Sequence, residues 1–132
     1  MGGTAANAAA LWAGLHLLLM LVLSVLVVRQ RRRHAVALGD GAVPELAQAI
    51  RVFGNAAEYV PAGLAALALL AVVQAPPLAV HLTGGVLFVG RVAHAAGLTR
   101  SGGASLPRAA GVLLTWVAYL FASITLLVYA IA

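Results

Sequence analysis

The chain has 132 residues, of which 64% are hydrophobic and only 8% are charged, whereas a soluble domain carries about 25% charged residues. No Asp, Glu, Lys or Arg occurs in residues 1–28, 59–90 and 109–132, and about 20 apolar residues are enough to cross the core of a bilayer. This composition excludes a soluble protein and predicts an all-α integral membrane protein, a four-helix bundle with one domain over residues 1–132. The net charge of +5 does not indicate nucleic-acid binding, because the arginines lie at the predicted membrane boundaries, where they contact membrane lipids.

Four transmembrane helices are predicted. In chain order they cover about residues 5–28, 44–73, 77–97 and 107–131. The last three begin at a proline, which suits a first helical turn because its missing N–H would be unpaired there anyway. The first segment is expected to be a retained helix rather than a signal peptide, because its arginines follow the apolar run instead of preceding it.

The distribution of arginine predicts the orientation of the helices. Arginines occur in the run from Arg29 to Arg33, after helix 1, and at Arg100 and Arg108, on either side of the loop after helix 3. Loops rich in arginine stay in the cytoplasm, so both termini are predicted on the non-cytoplasmic side. Arginine without lysine and abundant alanine are typical of a GC-rich bacterial genome, which indicates the bacterial inner membrane.

One polar stripe runs along the first half of helix 2. It consists of Gln48, Arg51, Asn55 and Glu58, with Tyr59 at its edge. At about 100° per residue, the four side chains lie within roughly a quarter of a turn of one another. We expect them to point together into a protein-lined pocket at the cytoplasmic side.

The helical rise places ionisable side chains of helices 2 and 3 at matching depth. Glu58 lies roughly 6 Å inside the hydrocarbon, and His94 and Arg91 lie roughly 5 and 9 Å inside it. A buried carboxylate needs a partner, and Arg51 or Arg91 can supply one. Two interpretations remain open, because intramembrane ionisable residues either hold helices together or form a functional site.

The charges of the stripe indicate what it would bind. An arginine pairs bidentately with a carboxylate, and a glutamate accepts hydrogen bonds from an ammonium group. Over roughly 10 Å of helix, this set is complementary to a small zwitterionic, peptide-like ligand. A lipid tail would lie beside it in the bilayer.

The string Arg51-x-x-x-Asn55-x-x-Glu58-Tyr59-x-Pro61, in the second of four short helices, resembles the MAPEG family, the membrane-associated proteins in eicosanoid and glutathione metabolism. The stretch from Gly90 to Gly97 resembles bacterial members. The resemblance implies a homotrimer with glutathione as co-substrate, bound between subunits at the cytoplasmic side. Arg51, Asn55, Glu58 and Tyr59 match the family's glutathione-binding residues.

The resemblance also implies help from an arginine at the end of helix 1, here Arg29 or Arg31. Catalytic members activate the glutathione thiol with an arginine near the start of helix 4, for which Arg108 is the first candidate and Arg100 the second. Where many members carry tyrosines in late helix 3, this chain has His94 and Leu98. Arg91 and His94 complete the expected binding set.

Three functions follow as hypotheses. The first is a glutathione-dependent transferase or peroxidase acting on lipophilic electrophiles, and the second is a non-catalytic scaffold of the same fold that binds glutathione or lipid. The third is a small multidrug transporter, which the absence of an acidic residue in helix 1 disfavours. No metal site is expected, because the chain has no cysteine and its cytoplasmic-side histidines lack clustered carboxylates.

Overall fold

The computed structural model describes residues 3–131, and it confirms the all-α membrane fold with four long helices. The helices are α1 Ala5–His34, α2 Pro44–Val72, α3 Pro77–Arg100 and α4 Leu106–Ile131. Each is long and apolar enough to cross a bilayer. Thr4 caps α1 by accepting the N–H of Asn7 at 3.1 Å, and Pro44 and Pro77 stand in the first turns of their helices.

Two helix ends differ from the predicted ones. Helix α1 continues past residue 28 to His34, and α3 continues past residue 97 to Arg100. The prediction stopped each helix at the membrane boundary, whereas arginine favours helix and its charge stabilises the carbonyl end of a helix. Helix α1 ends only at Ala35, which adopts a left-handed conformation with φ 54°.

The four helices pack around two apolar clusters. At one end of the bundle, the buried side chains include Leu67, Leu70 and Val80. At the other end, which carries the arginines and is called the basic end below, they include Val52 and Leu98. The outward faces of α1 and α4 expose large apolar side chains, as expected for surfaces that face lipid.

Helices α3 and α4 approach each other most closely at a pair of glycines. A Cβ atom added to Gly111 would lie 2.6 Å from the carbonyl oxygen of Gly90 and 2.6 Å from the backbone nitrogen of His94. Near the basic end, a Cβ on Gly97 would lie 2.7 Å from the backbone nitrogen of Arg108. This close approach brings the side chains of Arg91 and His94 against α4.

Candidate functional site

The polar stripe of α2 divides into two rows that face different surroundings. Asn55 is buried, and Gln48 is partly buried against the end of α3. Arg51 and Glu58, about 40 to 80° away around the helix, lie on the outer surface of the single chain, with 58% and 55% of their side chains exposed. The structure therefore does not bring the four side chains into one pocket within a single chain.

Arg91 occupies the centre of a fully buried polar group that joins three helices. Its side chain is 2% exposed, and its guanidinium donates to Thr115 Oγ1 at 2.9 Å, to Asn55 Oδ1 at 2.9 Å and to the Gly111 carbonyl at 3.4 Å. The guanidinium carbon also lies 4.8 Å from the centre of the Tyr59 ring. We call Arg91, Asn55, Thr115, Gly111 and Tyr59 the inner cluster.

The inner cluster uses its polar groups within the chain. Thr115 accepts from Arg91 and donates its own proton to the Gly111 carbonyl at 2.8 Å. Tyr119 of α4 donates its hydroxyl proton to the Tyr59 carbonyl, and its ring lies 6.3 Å from that of Tyr59. Because three donors of Arg91 already have acceptors, the inner cluster joins α2, α3 and α4 and leaves little capacity for a ligand.

The second row forms a different group at the surface. Arg51 Nη1 lies 3.2 Å from Glu58 Oε1, and this is the one ion pair found within residues 3–131. Behind it, the His94 side chain is only 4% exposed, and the guanidinium groups of Arg51, Arg91 and Arg108 all lie within electrostatic range of its imidazole. We call Arg51, Glu58 and Arg108 the outer patch.

A groove runs from the outer patch along the lipid-facing side of α4. Arg108 and Ser105 lie at its polar end, Trp116 lies two turns further along, and Val112 and Leu113 line it between them. Its volume is about 520 Å³. Arg108 donates to the carbonyl of Gly103 at 3.2 Å, which holds the start of α4 against the preceding loop.

The remaining predicted arginines lie away from the outer patch in the chain. The Arg31 guanidinium already has a partner within the chain. Its Nη1 donates to the Gly39 carbonyl at 2.8 Å and so holds the loop after α1. Arg29 and Arg100 are exposed near the ends of α1 and α3. Of the two candidates for activating a thiol, Arg108 is the one that lines the groove.

Sequence reasoning did not anticipate the α4 half of the inner cluster. The sequence places Glu58, His94 and Arg91 at similar depth, but nothing in its spacing links Arg91 to Thr115 or Gly111. The available signal was the glycine at each position of closest approach, because glycines on facing helices mark sites where backbones meet. As for metals, no group of three His, Asp or Glu side chains converges among the residues that the structure describes.

These features define a class of protein: a four-helix integral membrane protein with an arginine-rich polar site at one membrane boundary. The sequence model of the MAPEG family matches residues 9–128. The chain belongs to the MAPEG family.

Two curated relatives are similar to this chain, and both are described as inner membrane protein YecN. The one from Escherichia coli strain K12 is 42% identical over 85 residues, which make up 64% of this chain and 65% of the relative. The one from Escherichia coli O6:H1 has the same identity and coverage. The chain thus spans slightly less than two thirds of the length of these relatives. Together with the four membrane-spanning helices, this similarity places the chain in the bacterial inner membrane.

Proposed function

We propose that the protein is a glutathione-dependent transferase or peroxidase acting on lipophilic electrophiles, with glutathione bound at the outer patch between subunits of a homotrimer. The observation that carries the proposal is the exposed ion pair of Arg51 and Glu58 at the edge of the hydrocarbon. Its two partners are held in place by α2, and they face away from the bundle that their own chain forms.

The charges of this pair match the ammonium group and one of the two carboxylates of glutathione. In the single chain, Arg51 and Glu58 satisfy each other across 3.2 Å. A zwitterionic tripeptide would replace that contact with two, because its carboxylate pairs with Arg51 and its ammonium group pairs with Glu58. Because the ligand supplies an opposite charge to each side chain, opening the pair leaves neither charge unmatched.

The depth of Glu58 in the membrane favours contact between the outer patch and a second copy of the chain. By the helical rise, Glu58 lies roughly 6 Å inside the hydrocarbon, where a charged group facing lipid is costly. Contact with another subunit removes both side chains from the lipid and encloses the ligand. The number of subunits, three, rests on the family resemblance, and sedimentation in detergent is expected to give a trimer.

The groove beside Arg108 supplies a place for the second substrate. A lipophilic electrophile would enter from the bilayer and lie along Val112 and Trp116. If the thiol of glutathione lies at the polar end, the Arg108 guanidinium favours the thiolate by lowering the pKa of that thiol. The thiolate then attacks the electrophilic carbon, a carbon–sulfur bond forms, the leaving group departs with its electron pair, and the thiol proton passes to water.

The ultraviolet absorbance of the thiolate tests this assignment directly. Adding glutathione to purified protein is expected to produce thiolate absorbance and turnover of a chlorinated aromatic substrate. The variant Arg108→Met should lose most of both while still binding glutathione, whereas Arg100→Met, which changes the second candidate, an exposed arginine on the other side of the loop, should retain both. Unchanged thiolate absorbance in Arg108→Met would remove Arg108 from the mechanism.

Two observations favour the second candidate, a non-catalytic scaffold that binds glutathione or lipid. The Arg108 guanidinium already donates to the Gly103 carbonyl, and this chain has His94 and Leu98 near the positions where the resemblance implies tyrosines. Glutathione binding without thiolate absorbance or turnover would establish the scaffold. Absence of glutathione binding would reject the enzyme and the glutathione-binding scaffold, and would leave lipid as the ligand of a scaffold.

A further inference from the structure

A second cavity lies at the basic end between α1, α2 and α3, separate from the outer patch. Its volume is about 240 Å³, and Leu23 and Val52 form part of its apolar wall. Four polar side chains complete the lining: Gln30, Glu45, Gln48 and Thr99. The Gln48 side chain faces α3 rather than the outer surface, so the cavity and the Arg51–Glu58 pair occupy different sides of α2.

Oxygen atoms that can still accept a hydrogen bond remain in this cavity after the hydrogen bonds within the chain have formed. Gln48 Nε2 already donates to the carbonyls of Leu98 at 2.7 Å and Thr99 at 3.2 Å. The Thr99 hydroxyl donates to the Ala95 carbonyl at 2.7 Å, which leaves its oxygen able to accept. Gln30 Oε1 is buried and has no partner, and a buried acceptor without a donor is costly.

The negative charge of Glu45 at the cavity also favours a ligand that donates hydrogen bonds. Glu45 contributes a carboxylate, which only accepts hydrogen bonds when ionised, and within residues 3–131 it has no ion-pair partner. Its position in the first turn of α2 is also favourable for the helix, but that role does not use the cavity. The nearby Arg31 is directed to the carbonyl of Gly39 in the loop.

We propose that this cavity binds a primary ammonium group attached to a short apolar tail. The ammonium has three N–H donors for Gln30 Oε1, Thr99 Oγ1 and the Glu45 carboxylate, and its tail fills the space beside Leu23 and Val52. The volume of about 240 Å³ corresponds to roughly eight water molecules at ~30 Å³ each, which is enough for a small aliphatic amine. The proposal does not depend on glutathione binding at the outer patch.

The probe is n-hexylamine, titrated calorimetrically into the full chain in phosphatidylcholine nanodiscs, with the heat of empty nanodiscs subtracted. The parent protein is expected to bind hexylamine at least about tenfold more tightly than 1-hexanol, and to bind hexanoate more weakly still. Absence of hexylamine binding, or equal affinity for the alcohol, would overturn the proposal.

Three variants locate the ligand. Glu45→Gln and Gln30→Leu are each expected to weaken hexylamine binding about tenfold. Asp40→Asn removes the same charge as Glu45→Gln from the neighbouring loop and retains the oxygen that accepts the Ala42 N–H, so it should bind like the parent. If Gln30→Leu does not fold, Thr99→Val replaces it. Equal affinity in parent, Glu45→Gln and the folded cavity variant would overturn the proposal.

The same ammonium chemistry occurs in a free amine and in the headgroup of an aminophospholipid. Repeating the titration in nanodiscs that contain phosphatidylethanolamine distinguishes these sources. Weaker apparent hexylamine binding there identifies the lipid headgroup as a competing occupant of the cavity. Unchanged binding identifies a free amine as the ligand. Both comparisons require that hexylamine has first been shown to bind in phosphatidylcholine nanodiscs.

Discussion

Arg91 and Arg51 both lie in the half of the bundle near the basic end, yet their surroundings are opposite. Arg91 is 2% exposed and donates to three acceptors from two other helices. The Arg51 side chain is 58% exposed and has one partner, a glutamate two turns away on its own helix. The inner cluster around Arg91 joins the helices, whereas the outer patch around Arg51 leaves charge available to a molecule outside the chain.

The difference shows how to separate structural from ligand-binding charges in a small membrane protein. A buried guanidinium is tolerated when its donors are matched, and once matched it has little left for a ligand. A charged side chain that has few hydrogen-bond or ion-pair partners at the surface of one chain indicates that a second molecule contacts it. The predictions below test this division, beginning with the change expected to cost most.

Removing the centre of the inner cluster should cause the largest loss of stability. The variant Arg91→Met leaves Asn55 Oδ1 and Thr115 Oγ1 without their donor inside the bundle, and each buried acceptor left unsatisfied costs about 1 to 3 kcal/mol. Unfolding in detergent mixtures measures the free energy of unfolding. Arg51→Met combined with Glu58→Gln is the matched control, because it removes the outer ion pair without leaving Glu58 unpaired, and it should lose at most about 1 kcal/mol; equal losses in the two proteins would abolish the distinction between the regions.

Separating α3 from α4 should cost less. In Gly111→Ala the added Cβ would lie 2.6 Å from the Gly90 carbonyl oxygen, so the helices must move apart, at about 1 to 3 kcal/mol. Gly14→Ala is the control, because its Cβ would meet nothing within 4 Å and alanine favours helix. The unfolding midpoint should fall for Gly111→Ala only, and a fall in both would show that close packing is not the cause.

The smallest effect is expected in the groove beside the outer patch. Trp116→Ala removes apolar surface from the groove, which should raise the KM for a lipophilic electrophile up to about tenfold, corresponding to ~1.4 kcal/mol. The affinity for glutathione should not change. Leu120→Ala, one turn further along α4 and outside the groove lining, is the control, and a larger effect there would move the second-substrate site away from Trp116.

The fold could be predicted from the sequence because membrane spans depend on local composition. Charge-free stretches and prolines located four helices, and the ends differed at α1 and α3 because helix propensity, unlike hydrophobicity, continues through arginine. The stripe of α2 was also correctly identified as polar. The division of the stripe into a buried row and an exposed row was not predicted. Residues within a quarter of a turn lie on one face of a helix, but a neighbouring helix can cover only part of that face.

The α4 contribution to the inner cluster lay beyond sequence reasoning for a related reason. Thr115 donates to a carbonyl of its own helix, that of Gly111. The second hydrogen bond of Thr115, which it accepts from Arg91, depends on how closely α3 and α4 approach. Helix spacing is a property of two packed surfaces together, and no periodicity within one segment determines it.

The affinity for glutathione in parent, Arg51→Met and Arg32→Met proteins tests the central claim most directly. Arg32 is exposed in the last turn of α1, so Arg32→Met removes an equal charge from the same end of the bundle and controls for net charge. We expect Arg51→Met to weaken calorimetric glutathione binding about tenfold or more, and Arg32→Met to bind like the parent. Equal affinities in all three proteins would contradict the assignment of the outer patch as the glutathione site.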